Sequence, residues 1–142
     1  MFNLSTLKAA IQADAALTAF LAAGNHGAVA DYYNTPAAGS IWRPSISVAE
    51  LNNAIVWSEF AALSVQLQNT YLAMTAGGSV DATQARIRAG FAAVFSGVSL
   101  TNLTAMAQRA PSRFETLFTT ANVCSAFGQS VTPADVAAAL GA

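Results

Sequence analysis

Four short helix-starting tetrads are spread along this chain, and they constrain its fold more than any other feature. Ser47-Val48-Ala49-Glu50 and Ser112-Arg113-Phe114-Glu115 have the form of a capping box, a hydroxyl followed three residues later by a carboxylate. The serine oxygen accepts from the backbone of the glutamate, and the carboxylate reaches back to the serine N–H, so two orphan donors of a helix start are satisfied together. Asp81-Ala82-Thr83-Gln84 reads as a start of the same kind, and Thr132-Pro133-Ala134-Asp135 adds a proline at the first helical position. Starts at this density imply an all-α chain of short helices.

The stretches between the starts are consistent with that. Ser5 is placed to cap a first helix through Leu7, Ala10 and Ile11, and Asp14 to cap a second or continue the first. Gly24 sits where a helix-ending glycine belongs. Residues 26–33 suggest a short helix, and residues 34–39, with Pro36, a loop. Residues 41–47 read as extended, because Pro44 biases Arg43 away from helix. The helix opened at Ser47 is expected to be the longest. Val56, Phe60, Leu63, Leu67, Tyr71 and Met74 recur at helical spacing up to the Gly77-Gly78 stop. Ile87, Phe91, Val94 and Phe95 give the next apolar face, closed by Gly97. Ser99 or Thr101 then starts a helix that Pro111 ends. Residues 123–131 are ambiguous between turn and strand. The expectation is a single compact helical domain over residues 1–142, with about six or seven helices and a minor β element near residues 41–46 and 127–131.

Charge is the second constraint. Charged residues make up 9% of the chain against 54% hydrophobic, where an ordinary soluble domain has about 25% charged. A folded monomer of this mass exposes roughly 6,900 Å², so its surface is thinly charged and poorly protected against association. Two explanations fit: partner chains cover much of it, or its many alanines dilute it without making it sticky. The net charge of −1 gives no field to attract nucleic acid or anionic lipid. The uncharged stretches 60–80 and 89–108 are interrupted by Gln66, Gln68, Asn69, Gly77-Gly78, Gly90, Gly97 and Asn102, so no membrane span is expected. The start of the chain carries Lys8 after its apolar residues and no continuous apolar run, unlike a secretory leader.

The side chains of catalysis are sparse. His26 is the one histidine and Cys124 the one cysteine. The first is flanked by Asn25 and Gly27, as in a turn, and the second lacks the spacing of a metal or redox pair. The seven acids are scattered singly, and no glycine-rich phosphate loop is present. We therefore expect no enzyme, no cofactor and no metal.

What remains are residues suited to gripping another protein. Trp42-Arg43-Pro44 stands in the extended segment, where an indole offers rigid contact area and a guanidinium a planar fork. Trp42 and Trp57 are equally suited to a core or to an interface. Arg86 and Arg88, two apart on a helix, point away from each other, and Arg109 and Arg113 flank Pro111. These four arginines are expected to pair with glutamates or helix ends, within the fold or across subunits, rather than to bind nucleic acid. The candidate interface is thus Trp42, Arg43, Pro44, Arg86, Arg88, Arg109 and Arg113.

Four stretches carry a resemblance: residues 3–11, Asn3-Leu4-Ser5-Thr6-Leu7-Lys8-Ala9-Ala10-Ile11; residues 41–50, which contain Ile41-Trp42-Arg43-Pro44; residues 86–91, Arg86-Ile87-Arg88-Ala89-Gly90-Phe91; and residues 108–118, which contain Arg109-Ala110-Pro111-Ser112-Arg113-Phe114. In order and spacing the chain resembles a family of small, mostly uncharacterised proteins encoded among the virion structural genes of tailed bacteriophages and prophages. It departs from many members of that family at Pro111-Ser112, where they have Ala-Thr. The resemblance implies a virion part made in the host bacterial cytoplasm. Its partners would be other phage structural proteins and copies of itself in a ring, with no specific nucleic acid and no membrane. A head-to-tail connector or tail-associated subunit is the first expectation. A non-virion assembly factor and a capsid-associated minor protein are the alternatives.

Overall fold

The computed structural model describes residues 2–141 and is mainly helical, 59% helix and 10% strand. Ten α-helices occur among the described residues, more than the six or seven expected. The chain forms two compact units. Unit 2 is Ile41–Arg109, inserted between the two segments of unit 1, Met1–Ser40 and Ala110–Ala142. Sequence alone gave no boundary at either junction.

Unit 1 contains α1 (Leu4–Ala13), a 3₁₀ turn at Ala15–Leu17, α2 (Thr18–Ala22) and α3 (His26–Asn34) before the insertion. Asn3 rather than Ser5 caps α1, its side chain accepting from the Ser5 N–H. Asp14 caps the 3₁₀ turn. Gly24 adopts φ +63° after α2, as its place in the sequence requires. Leu7 and Ile11 of α1 and Val29 of α3 are fully buried, and the last helix of the chain packs on both α1 and α3.

Unit 2 begins with β1 (Ile41–Trp42) and β2 (Ile46–Ser47), followed by α4 (Val48–Ala54), α5 (Trp57–Ala61), α6 (Val65–Thr75) and β3 (Ser79–Val80). It continues with α7 (Ala85–Val94), α8 (Gly97–Met106) and β4 (Gln108–Arg109). Its first and last strands pair antiparallel, Ile41 with Arg109 and Trp42 with Gln108, so the insertion is closed at its own ends. β2 pairs with β3. The core gathers Ile46, Leu51, Ile55, Tyr71, Phe91 and Phe95, among others.

The long helix expected from Ser47 to Gly77 is instead three helices. The capping box forms as read, with Ser47 accepting from Glu50 and Glu50 reaching back. The helix then breaks at Ile55, whose ψ of 135° is extended. The break is held by Ser99, whose hydroxyl accepts from the Val56 N–H at 3.0 Å. Ser64 starts α6 by accepting from Leu67. The stripe of apolar residues kept helical spacing across these breaks because each short helix turns the same kind of face inward.

Two further expectations are corrected. Asp81 does not cap a helix; it closes a turn by accepting from the N–H and hydroxyl of Thr83, and α7 begins only at Ala85. Gly97 does not close α7, which ends at Val94; it opens α8 at φ +64°. Ser96 gives α8 no side-chain cap. Glu59 of α5 does so from a distance in sequence, accepting from the N–H groups of Val98 at 3.1 Å and Ser99 at 2.8 Å. A Cβ on Gly97 would stand 3.1 Å from Glu59 Oε1, so glycine leaves room for this cap.

The Ser99 side chain and backbone, together with the Val98 N–H, hold the Glu59 carboxyl below its ordinary value of 4.5. Arg43, with Ser47, does the same for Glu50. A lowered carboxylate contributes stability above the unfolded pKa, and that contribution is lost as pH falls through the folded one. The melting temperature is therefore expected to fall on acidification from pH 5 to pH 3. Glu59→Gln, measured by thermal melts across that range, should have a shallower slope than the parent; an equal slope would contradict the capping role.

The second segment of unit 1 carries α9 (Arg113–Thr116), β5 (Thr119–Thr120), β6 (Val123–Cys124) and α10 (Pro133–Leu140). Both expected capping boxes are present, at Ser112 with Glu115 and at Thr132 with Asp135, the latter with its proline in the first turn. Residues 127–131 form no strand. Val131 has its N–H and C=O taken by the Asn34 carboxamide, at 2.9 and 2.8 Å, which does what a neighbouring strand would do. The β element of this region is instead the β5–β6 hairpin. Its turn places Ala121 at φ +51° and Asn122 at φ +63°. Both turn residues in the left-handed region is the pattern that favours Asn-Gly, and alanine there is strained by about 1–2 kcal/mol. The double change Ala121→Asn with Asn122→Gly is expected to stabilise unit 1 by about 1 kcal/mol in chemical denaturation. A loss of stability would contradict this reading of the turn.

Candidate interface around Trp42

Trp42-Arg43-Pro44 is non-helical, running from β1 to a bend at Pro44, and its backbone is not idle. Trp42 lies in the β1–β4 pair, the Arg43 N–H donates to the Ala107 carbonyl at 2.9 Å, and the Arg43 carbonyl accepts from Ala82 at 3.1 Å. The side chain of Arg43 bridges Glu50 at 2.7 Å and donates to the Met106 carbonyl at 3.1 Å. Pro44 is exposed.

Trp42 itself is partly buried and packs on the unit 2 core. Arg88 covers it, the guanidinium carbon standing 4.6 Å from the indole centroid. Arg88 is held there by its Nη1, which donates to the carbonyls of Ala82 at 2.6 Å and Thr83 at 2.9 Å, the residues of the turn just before α7. Beside this pair lies an apolar cavity of about 60 Å³, lined among others by Ile46, Leu51, Ile87, Phe91 and Leu103.

The other candidates do not all join this place. Arg86 is exposed and its Nε donates to the side-chain Oε1 of Gln84 at 2.8 Å, so the two arginines of α7 do point different ways. Arg109 lies in β4 opposite Ile41. Arg113 belongs to unit 1, where it stacks over Tyr32 at 4.4 Å and donates to the Tyr32 hydroxyl at 2.9 Å and to Thr35 at 3.1 Å. Tyr32 in turn donates to Asp14 at 2.8 Å, which is the main reason its pKa is raised. Burial, reinforced by the Asp14 charge, pushes the neighbouring Tyr33 up to about 12.

Of the most exposed apolar side chains, sequence reasoning weighed Trp57 evenly between core and interface and passed over Val65, Leu72 and Val98. Trp57 is 51% exposed, Val65 71%, Leu72 57% and Val98 55%, all in unit 2. Val65 and Leu72 are seven apart in α6 and therefore share a face, opposite in sense to the inward Leu67, Tyr71 and Met74. The signal was present: both fall off the apolar stripe.

Cys124 is buried, and its thiol donates to the Glu115 carbonyl at 3.4 Å. His26 is the first residue of α3. Among the described residues no three His, Cys, Asp or Glu side chains cluster as a metal site, and no helix is long and apolar enough to cross a membrane. The chain matches no family model, no curated protein and no solved structure.

Proposed function

We propose that this chain is a structural protein of a tailed-bacteriophage virion, a head-to-tail connector or tail-associated subunit, acting by packing against phage proteins and against copies of itself in a ring. On this reading it performs no covalent chemistry. The observation that carries the packing role is the surface. It extends over 7508 Å² and has only six basic and seven acidic side chains to serve it, while Trp57, Val65, Leu72 and Val98 stand exposed in unit 2. Cores of protein interfaces are depleted in charge and enriched in aromatic residues. The phage assignment rests on the resemblance of the four sequence stretches.

The reading gives a direct expectation for Leu72. It is 57% exposed on α6, so Leu72→Glu removes little from the fold and should change stability by less than about 0.5 kcal/mol. A carboxylate in the centre of an interface, in contrast, is unpaired and desolvated. Particles produced with the variant in place of the parent should be defective or lack the protein. Normal particles carrying the variant at full occupancy would remove this face from the account.

A further inference from the structure

Arg88 of α7 is fixed in place by contacts within unit 2. Its Nη1 hydrogens are committed to the Ala82 and Thr83 carbonyls, and its flat face is committed to Trp42. Among the described residues nothing accepts from Nε or Nη2, the edge of the guanidinium that grips a carboxylate with two parallel hydrogen bonds. The three existing contacts fix the plane of the group before anything binds, so little side-chain freedom is left to lose. No acid is found among the residues lining the adjacent cavity, and Arg88 is the one charged side chain there.

The cavity supplies the second half of the site. Apart from Arg88 and Thr104 its lining is apolar, and its volume is about 60 Å³. An apolar cavity of about 150 Å³ holds benzene, so this one suits a smaller group, a branched aliphatic side chain. Trp42 and Arg88 both line the cavity, and the Arg88 guanidinium lies over the indole. The carboxylate and the aliphatic group must therefore be close neighbours, as they are on a single carboxyl-terminal residue.

We propose that this pocket of unit 2 receives the carboxyl terminus of a partner chain ending in a small branched aliphatic residue such as leucine or valine. The carboxylate lies on the Nε–Nη2 edge of Arg88, and the side chain enters the cavity beside Trp42. This names the partner chemistry of the packing role proposed above and rests on it only for the protein nature of the occupant.

The test uses the whole isolated chain and is independent of particle assembly, so its failure leaves the virion assignment standing. N-acetyl-L-leucine is titrated while the Trp42 indole N–H and the Arg88 Nε–H are followed by ¹⁵N NMR. The expected result is a saturable shift of both signals. N-acetyl-L-leucinamide, which lacks the carboxylate, and N-acetylglycine, which lacks the side chain, should each bind at least tenfold more weakly. Arg88→Lys keeps the charge but not the two-pronged edge and should also lose tenfold. Ala107→Val, which leaves Arg88 in place and fills the cavity, should do the same and covers the case in which the first variant fails to fold. The proposal is overturned if the amide or the glycine derivative binds as well as N-acetyl-L-leucine, or if a folded variant binds unchanged. Isovalerate binding tenfold more tightly than N-acetyl-L-leucine would assign the pocket to free acids and overturn the chain-terminus claim.

Discussion

Replacing Glu115 by alanine is expected to open the β5–β6 region of unit 1 with a cost of about 4 kcal/mol, and by glutamine about 2 kcal/mol. Glu115 is 2% exposed, a charged residue in the interior. One carboxylate oxygen accepts from the Ser112 N–H at 2.9 Å, completing the capping box of α9. The other accepts from the Gly128 N–H at 2.7 Å, across the hairpin from it in sequence. A backbone hydrogen bond to a charged acceptor contributes about 1.5–3 kcal/mol. Alanine removes both and leaves two N–H groups without their acceptor; glutamine keeps one and turns an NH₂ toward the other. The single cysteine makes the readout local. Cys124 lies in β6, buried, with its thiol on the Glu115 carbonyl. Thiol labelling then follows the open population, at tenfold per about 1.4 kcal/mol. Labelling should accelerate about 30-fold in the glutamine variant and about 1,000-fold in the alanine variant. Rates equal to the parent's would show that the carboxylate does not hold this segment closed.

Trp42→Ala is expected to cost unit 2 about 2–4 kcal/mol. The indole is partly buried rather than fully so, which places it below the cost of a completely buried aromatic. Its loss enlarges the existing cavity and removes the surface on which Arg88 rests. Trp57, half exposed and in edge contact with Phe60 at 5.3 Å, remains as a fluorescent reporter of the same unit. Chemical denaturation followed at Trp57 measures the effect, and Trp42→Phe should recover about half of it. The result also separates two roles the sequence could not. A core tryptophan lowers stability when truncated. One that serves only to contact a partner leaves stability within about 0.5 kcal/mol and disturbs assembly alone.

Local chemistry was legible where a few neighbouring residues decide the outcome. The boxes at Ser47, Ser112 and Thr132 form as read, because the hydroxyl, the carboxylate and the backbone they satisfy lie within four residues. Residues 41–47 avoid helix, as Pro44 implies, though as two short strands with a bend at Pro44 between them. Helix continuity was not legible. The break at Ile55 is held by Ser99 through the Val56 N–H, and the start of α8 by Glu59, partners about forty residues away. The strand expected at residues 127–131 fails for a similar reason, since Asn34 saturates Val131 from 97 residues earlier. The inserted unit leaves no mark in composition because its two ends meet through backbone pairing of Ile41–Trp42 with Gln108–Arg109, and no linker is needed. Of the candidate residues, Trp42 and Arg88 are forty-six apart and meet only in the folded unit; neither spacing nor charge pattern announces the stack. Leu72 was passed over because one exposed leucine looks ordinary until the helix that carries it is known to end at Thr75 and to turn Tyr71 inward.

The central claim is that this chain is a built-in part of a phage particle. Quantitative mass spectrometry of purified virions produced from the genome that encodes it tests that claim most directly. The account predicts peptides of the chain at a fixed copy number per particle, in a small multiple set by a ring. Finding it in the lysate but absent from intact, infectious particles would contradict the account and favour a non-virion assembly factor.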